Sequence, residues 1–117
     1  MTTANSQKQF QAALESSWSL QSSSLWQKGN PALGQCGVTA LVAQDILGGE
    51  IIKTKYGDIW HFYNHINGEV IDFTRIQFDE PVHYTDLVSS RAEAFGDTDA
   101  QQYDYLSSAV QKSLIFK

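Results

Sequence analysis

The sequence predicts an α+β fold in which a helix carrying a cysteine at its N-terminus packs on a small antiparallel sheet, between N- and C-terminal helices. Three observations predict it. Apolar residues recur at helical spacing directly after Cys36, through Val38, Leu41, Val42, Ile46 and Leu47. Two strand-like runs flank Asn67-Gly68, a pair that favours a two-residue hairpin turn. A last periodic stretch carries Tyr103, Leu106, Val110 and Leu114. With 117 residues and 13.1 kDa, a single domain spanning 1–117 is expected, because two would each be too small for a core.

The elements follow in chain order. Phe10, Ala13 and Leu14 suit a short amphipathic helix over residues 6–15. The serine-rich stretch 16–24 ends that pattern and, punctuated by Trp18 and Leu20, reads as a packed loop. Gly29-Asn30-Pro31 and Gly34 mark turns. The helix after Cys36 stops at Gly48-Gly49, where glycine relieves left-handed strain. Residues 50–54 read as a strand, with a turn near Gly57. Next comes the hairpin, 58–66 and 69–74. If Ile66 pairs with Glu69, Tyr63 faces Asp72, and His61 becomes a diagonal neighbour of Asp72 on the same face. Residues 82–88 are expected as a further strand, and Thr98 to Gln101 match a capping box opening the last helix.

Composition narrows the function. Apolar residues make up 42% and charged residues 18%, which excludes disordered and collagen-like chains. Eight Lys and Arg are scattered through a chain of net charge −5, so no basic stripe offers itself to nucleic acid. No apolar run approaches the ~18–20 residues that span a bilayer, and Met1 to Phe10 lack a signal-peptide pattern. The expected location is the cytoplasm, with no membrane partner. The oligomeric state is left open.

One cysteine excludes a disulfide framework and multi-cysteine zinc sites. At a helix start, however, a thiol meets unpaired N–H groups and a partial positive charge, which stabilise a thiolate and an oxyanion. His61 on one strand and Asp72 on the next complete a nucleophile, a base and an orienting acid, the arrangement of thiol-mediated acyl transfer. Arg75 and Thr74 compete as partners of Asp72. A metal site built on Cys36, His61, His65 and Asp72 is disfavoured, because on a strand His61 and His65 stand ~13 Å apart. No metal and no cofactor are expected, and His83 reads as a surface or packing residue.

The run Gly34-Gln35-Cys36-Gly37-Val38-Thr39-Ala40-Leu41-Val42, then Gly48-Gly49-Glu50-Ile51, resembles the YunG-like family of small bacterial proteins. The likeness continues through Trp60-His61-Phe62-Tyr63-Asn64, Asp72-Phe73-Thr74 and Gln77-Phe78, and covers the chain from about Leu14 to Val110. More distantly, the order Cys, His, Asp on a helix and then a hairpin is similar to the papain-like and transglutaminase-like superfamily. That resemblance implies Cys36 as nucleophile, His61 as general base and Asp72 as orienting carboxylate. It implies an oxyanion donor at Asn30, where papain-type enzymes have glutamine, at Gln35, or at Trp18 or Trp26, as in transglutaminase-type sites. The expected activity is thiol-dependent acyl transfer on a peptide, protein or amide substrate: hydrolysis, deamidation or transfer to an amine. The alternative is a non-catalytic module that binds through an aromatic surface of Trp18, Trp26 and Tyr63.

Overall fold

Two tight turns organise the sheet. A computed structural model describes residues 3–115, so two residues at each end of the expected 1–117 domain lie outside the described residues. The first turn, at Gly57-Asp58, joins β1 (Glu50–Tyr56) to β2 (Ile59–Ile66). The second, at Asn67-Gly68, joins β2 to β3 (Glu69–Ile71), with Asn67 at φ 52° and Gly68 at φ 81°, as a type I′ turn requires. The register is the expected one: Ile66 opposite Glu69, His65 opposite Val70, Asn64 opposite Ile71. With β4 (Leu87–Val88) against β1, the antiparallel order is β3-β2-β1-β4.

Two strands are shorter than the sequence pattern suggests. The hairpin's second strand ends at Ile71 instead of Thr74. Asp72 Oδ1 accepts the Thr74 amide at 3.1 Å and the Thr74 hydroxyl at 3.3 Å, closing a turn that leads into a 3₁₀ turn at Arg75–Gln77. The expected strand 82–88 survives only as Leu87–Val88. Upstream, side chains replace a ladder: Thr54 Oγ1 accepts the Thr85 amide and donates to the His83 carbonyl, while the Tyr63 hydroxyl accepts the Asp86 amide. Asp86 itself sits at φ 53°, outside strand geometry.

The helices are α1 (Thr3–Ser17), α2 (Cys36–Leu47), α3 (Arg91–Phe95) and α4 (Ala100–Ile115). The short α3 was not expected; Ser90 caps it by accepting the Glu93 amide. The start of α4 also differs. Asp99, not Thr98, is the cap, accepting the Gln102 amide at 2.8 Å, and Thr98 donates to the Gln102 side chain.

Phe10 and Leu14 of α1, Val38 and Val42 of α2, and Leu106 and Val110 of α4 form one buried cluster with Ile66 and Phe73. Each such Leu or Phe contributes roughly 2 kcal/mol on burial. The other side of the sheet carries Ile52, Thr54, His61 and Tyr63, by strand alternation, and is covered by the chain from Phe78 to Asp86. Among the described residues, no helix is long and apolar enough to cross a membrane.

Candidate active site

Cys36 is the first residue of α2 and is 7% exposed. Gln35 before it makes no side-chain cap. The cap comes from sixty residues away. Asp97, in the loop between α3 and α4, accepts the Gly37 amide on Oδ2 at 3.1 Å, and the Cys36 thiol donates to the same oxygen at 3.5 Å. Glycine at 37 makes this approach possible, since a Cβ there would lie 2.6 Å from that oxygen and 2.9 Å from the Ala94 carbonyl. An anion thus already sits on the helix N-terminus.

This corrects the expected thiolate. Burial, and then the charge of Asp97, push the Cys36 thiol well above a cysteine's ordinary range, against a smaller opposing effect of the Phe62 amide. Burial and the 3.5 Å contact with the Asp97 carboxylate both favour the neutral thiol. Asp97 is itself raised by loss of water, an effect moderated by the thiol, the Gly37 amide and the nearby His61.

The sulfur's place follows from the hairpins. The two-residue turn at Gly57-Asp58 makes Tyr56 and Ile59 a hydrogen-bonded pair, so alternation turns the Phe62 amide away from β1. That amide faces the lane beside β2 which β3 vacates after Ile71, and it acts on the Cys36 sulfur there. Phe62 and His61 project to opposite sides of β2. Phe62 packs with Cys36, Ala40 and Leu41.

His61 is wholly buried. Its Nε2–H donates to Asp72 Oδ2 at 2.6 Å, a tautomer assigned from the network. The Tyr84 hydroxyl donates to the same oxygen at 2.7 Å, and Phe78 meets the ring edge-on at 4.8 Å between centroids. Thr74 joins the acid, while Arg75 makes no ion pair with it. Nδ1 of His61 has no partner among the described residues, and no hydrogen bond joins it to Cys36. Of the three predicted groups, the structure pairs His61 with Asp72 and binds Cys36 to Asp97.

Cys36 opens on a cleft of about 610 Å³, whose walls include Leu25, Trp60, Phe62, Gln77, Phe78 and Asp97. Gln77 braces it: Oε1 accepts the Gly34 amide at 3.2 Å, and Nε2 donates to Thr74 Oγ1 at 3.0 Å. A chain of hydrogen bonds thereby connects the loop before Cys36 to the acid that holds His61.

The predicted oxyanion donors lie elsewhere. Asn30 donates to the Gln77 carbonyl at 3.0 Å, and buried Gln35 reaches the Ser19 carbonyl at 3.4 Å. The Trp18 indole N–H is engaged by Thr39 Oγ1, while that of Trp26 is buried without a partner among the described residues. None of the four lines the cleft. Tyr63 is buried on the far side, its hydroxyl donating to Asp86. Trp18, Trp26 and Tyr63 therefore form no shared exposed surface, which corrects the aromatic docking face. The Cys36 amide has no acceptor among the described residues. No group of three or more His, Cys, Asp or Glu among them could hold a metal ion.

Asp97, Gln77 and Tyr84 were missed by sequence reasoning. The glycine after the cysteine was the one local sign that something approaches the helix start; nothing local pointed to 77 or 84.

A family model described as YunG protein matches residues 6–115. A relative from Bacillus subtilis (strain 168), named Uncharacterized protein YunG, is 52% identical over 101 residues, covering 86% of this chain and 88% of its own. No solved structure matches the chain significantly. By sequence, the chain belongs to the YunG family.

Proposed function

We propose that the protein is a thiol-dependent acyl-transfer enzyme acting on amide or peptide bonds, with Cys36 as nucleophile, His61 as general base and Asp72 as its orienting acid. The observation that carries this is the wholly buried His61 ring: Nε2 is locked on Asp72 at 2.6 Å, while Nδ1 has no partner among the described residues. A buried, unsatisfied ring nitrogen costs about 1–3 kcal/mol, an expense that a proton-accepting role accounts for. The order of the three residues on a helix and a hairpin is that of the papain-like and transglutaminase-like enzymes, and such a triad needs no cofactor.

In this mechanism the sulfur gives its proton to Nδ1 as it attacks the carbonyl, forming the C–S bond. The Cys36 amide donates to the oxyanion. The C–N bond breaks as the imidazolium protonates the leaving amine. Water, deprotonated by His61, then attacks the thioester, and the thiol is restored. Replacing water with an amine gives transfer in place of hydrolysis.

The test is alkylation of Cys36 by iodoacetamide, followed by intact mass, with turnover of p-nitrophenyl acetate alongside. His61→Ala should slow both at least about tenfold, and Cys36→Ala should abolish both. Equal alkylation rates with and without His61 would exclude the dyad. A second reading, a non-catalytic module of the same fold, is favoured by the neutral resting thiol. It requires Cys36→Ser to leave the protein's role intact.

A further inference from the structure

We infer that the cleft selects acyl groups with a free α-ammonium on an apolar first residue, and that Asp97 is the specificity-determining residue that binds this ammonium. The inference rests on the acyl-transfer reading above. Asp97 uses only Oδ2 for the thiol and the Gly37 amide; Oδ1 has no partner among the described residues, and no Lys, Arg or His pairs with the carboxylate. The other acid of the cleft, Glu93, is already neutralised by Lys53 at 2.6 Å. Asp97 therefore contributes a negative charge without an ion-pair partner, on the wall of a cleft whose lining includes the apolar side chains of Leu25, Leu33, Phe62 and Phe78.

The spacing fits an α-amino acid. In a thioester of an aminoacyl group, three bonds separate sulfur from the α-nitrogen, roughly 3–4 Å by ordinary bond lengths. Asp97 Oδ2 stands 3.5 Å from that sulfur. With the carbonyl at the sulfur, rotation about the Cα–C bond can bring an ammonium on the α-carbon within hydrogen-bond reach of the carboxylate, with the first side chain left to the apolar residues of the cleft. A cation here also offsets the charge that keeps the thiol protonated, so the substrate that is recognised helps to activate the nucleophile.

Two chloromethyl ketones test it, that of leucine and that of N-acetyl-leucine; each loses chloride as a C–S bond forms at Cys36. Intact mass gives both rates, and iodoacetamide gives each variant's general thiol reactivity. In the unmodified protein the free-amine reagent should react at least about tenfold faster than the acetylated one. Asp97→Asn, which keeps an oxygen for the Gly37 amide, should bring that ratio near one, and Asp97→Glu should retain part of it. A ratio near one in the unmodified protein, or one unchanged by both substitutions, overturns the inference; if iodoacetamide still depends on His61, the parent reading stands. If iodoacetamide alkylation is indifferent to His61→Ala, the parent reading falls and this inference with it.

Discussion

Oδ2 of Asp72 lies 2.6 Å from Nε2 of His61 and also takes the Tyr84 hydroxyl at 2.7 Å, in a place where the imidazole has no exposed surface. Asp72→Ala would leave both ring nitrogens without partners and strand the Tyr84 hydroxyl. Loss of one partner of a buried pair is expected to cost about 3 kcal/mol. Asp72→Asn keeps an oxygen for Nε2–H and is expected to cost about 1 kcal/mol. Denaturant unfolding of the two variants measures the difference. Equal stabilities would mean that the pair does not hold the ring.

Gln77 ties the loop before the nucleophile to the acid. Gln77→Ala removes two part-buried hydrogen bonds, to the Gly34 amide and to Thr74, and is expected to destabilise by about 1–2 kcal/mol. Gln77→Glu keeps the acceptor for Gly34 and loses the donor to Thr74. It should fall between Gln77→Ala and the unmodified protein in the rate of Cys36 alkylation, if the brace positions the site. Identical rates in all three would reduce Gln77 to a purely structural tie.

The hairpin was readable because Asn67-Gly68 dictates both its turn and its register, and the register alone put His61 and Asp72 together. The helix after Cys36 was readable from its apolar spacing. Asp97 was not, because its partners Cys36 and Gly37 are sixty residues away and meet it only after α3 and α4 have packed. The same holds for Tyr84, which reaches Asp72 across the covered side of the sheet. Residues 82–86 carry strand-like composition yet form no strand. The side chains of Thr54 and Tyr63 bind their main chain first, an outcome that local propensity does not encode.

Gly37→Ala tests how closely Asp97 presses on the helix start. In an ordinary helix this exchange would stabilise by about 1 kcal/mol. Here the new methyl would lie 2.6 Å from Asp97 Oδ2 and 2.7 Å from its Cβ, so the loop between α3 and α4 must retreat. The expected net effect is a destabilisation of about 1–3 kcal/mol, together with a higher iodoacetamide rate at Cys36 as the carboxylate moves off. Gly29→Ala, where nothing lies within 4 Å, is the control and should be close to neutral. A stabilised Gly37→Ala protein would show that the contact yields easily.

Alkaline pH should expose the buried thiol as a cost to stability. Burial and Asp97 hold Cys36 above a cysteine's ordinary 9.0, so between that pH and its folded value the unfolded chain binds fewer protons than the folded one. Stability attributable to this group is then complete below about pH 9 and falls by roughly 1.4 kcal/mol per pH unit above it. Tyr63 and Tyr84, both raised from 10.0 chiefly by burial, add losses of the same sign only above about pH 10. Cys36→Ala lacks the first loss. Its stability between pH 8 and 10, followed by denaturant unfolding, should stay nearly level while that of the unmodified protein declines. Parallel declines in the two proteins would show that the thiol ionises as freely in the folded state as in the unfolded chain. That would leave Asp97 without the influence on the sulfur that its position gives it.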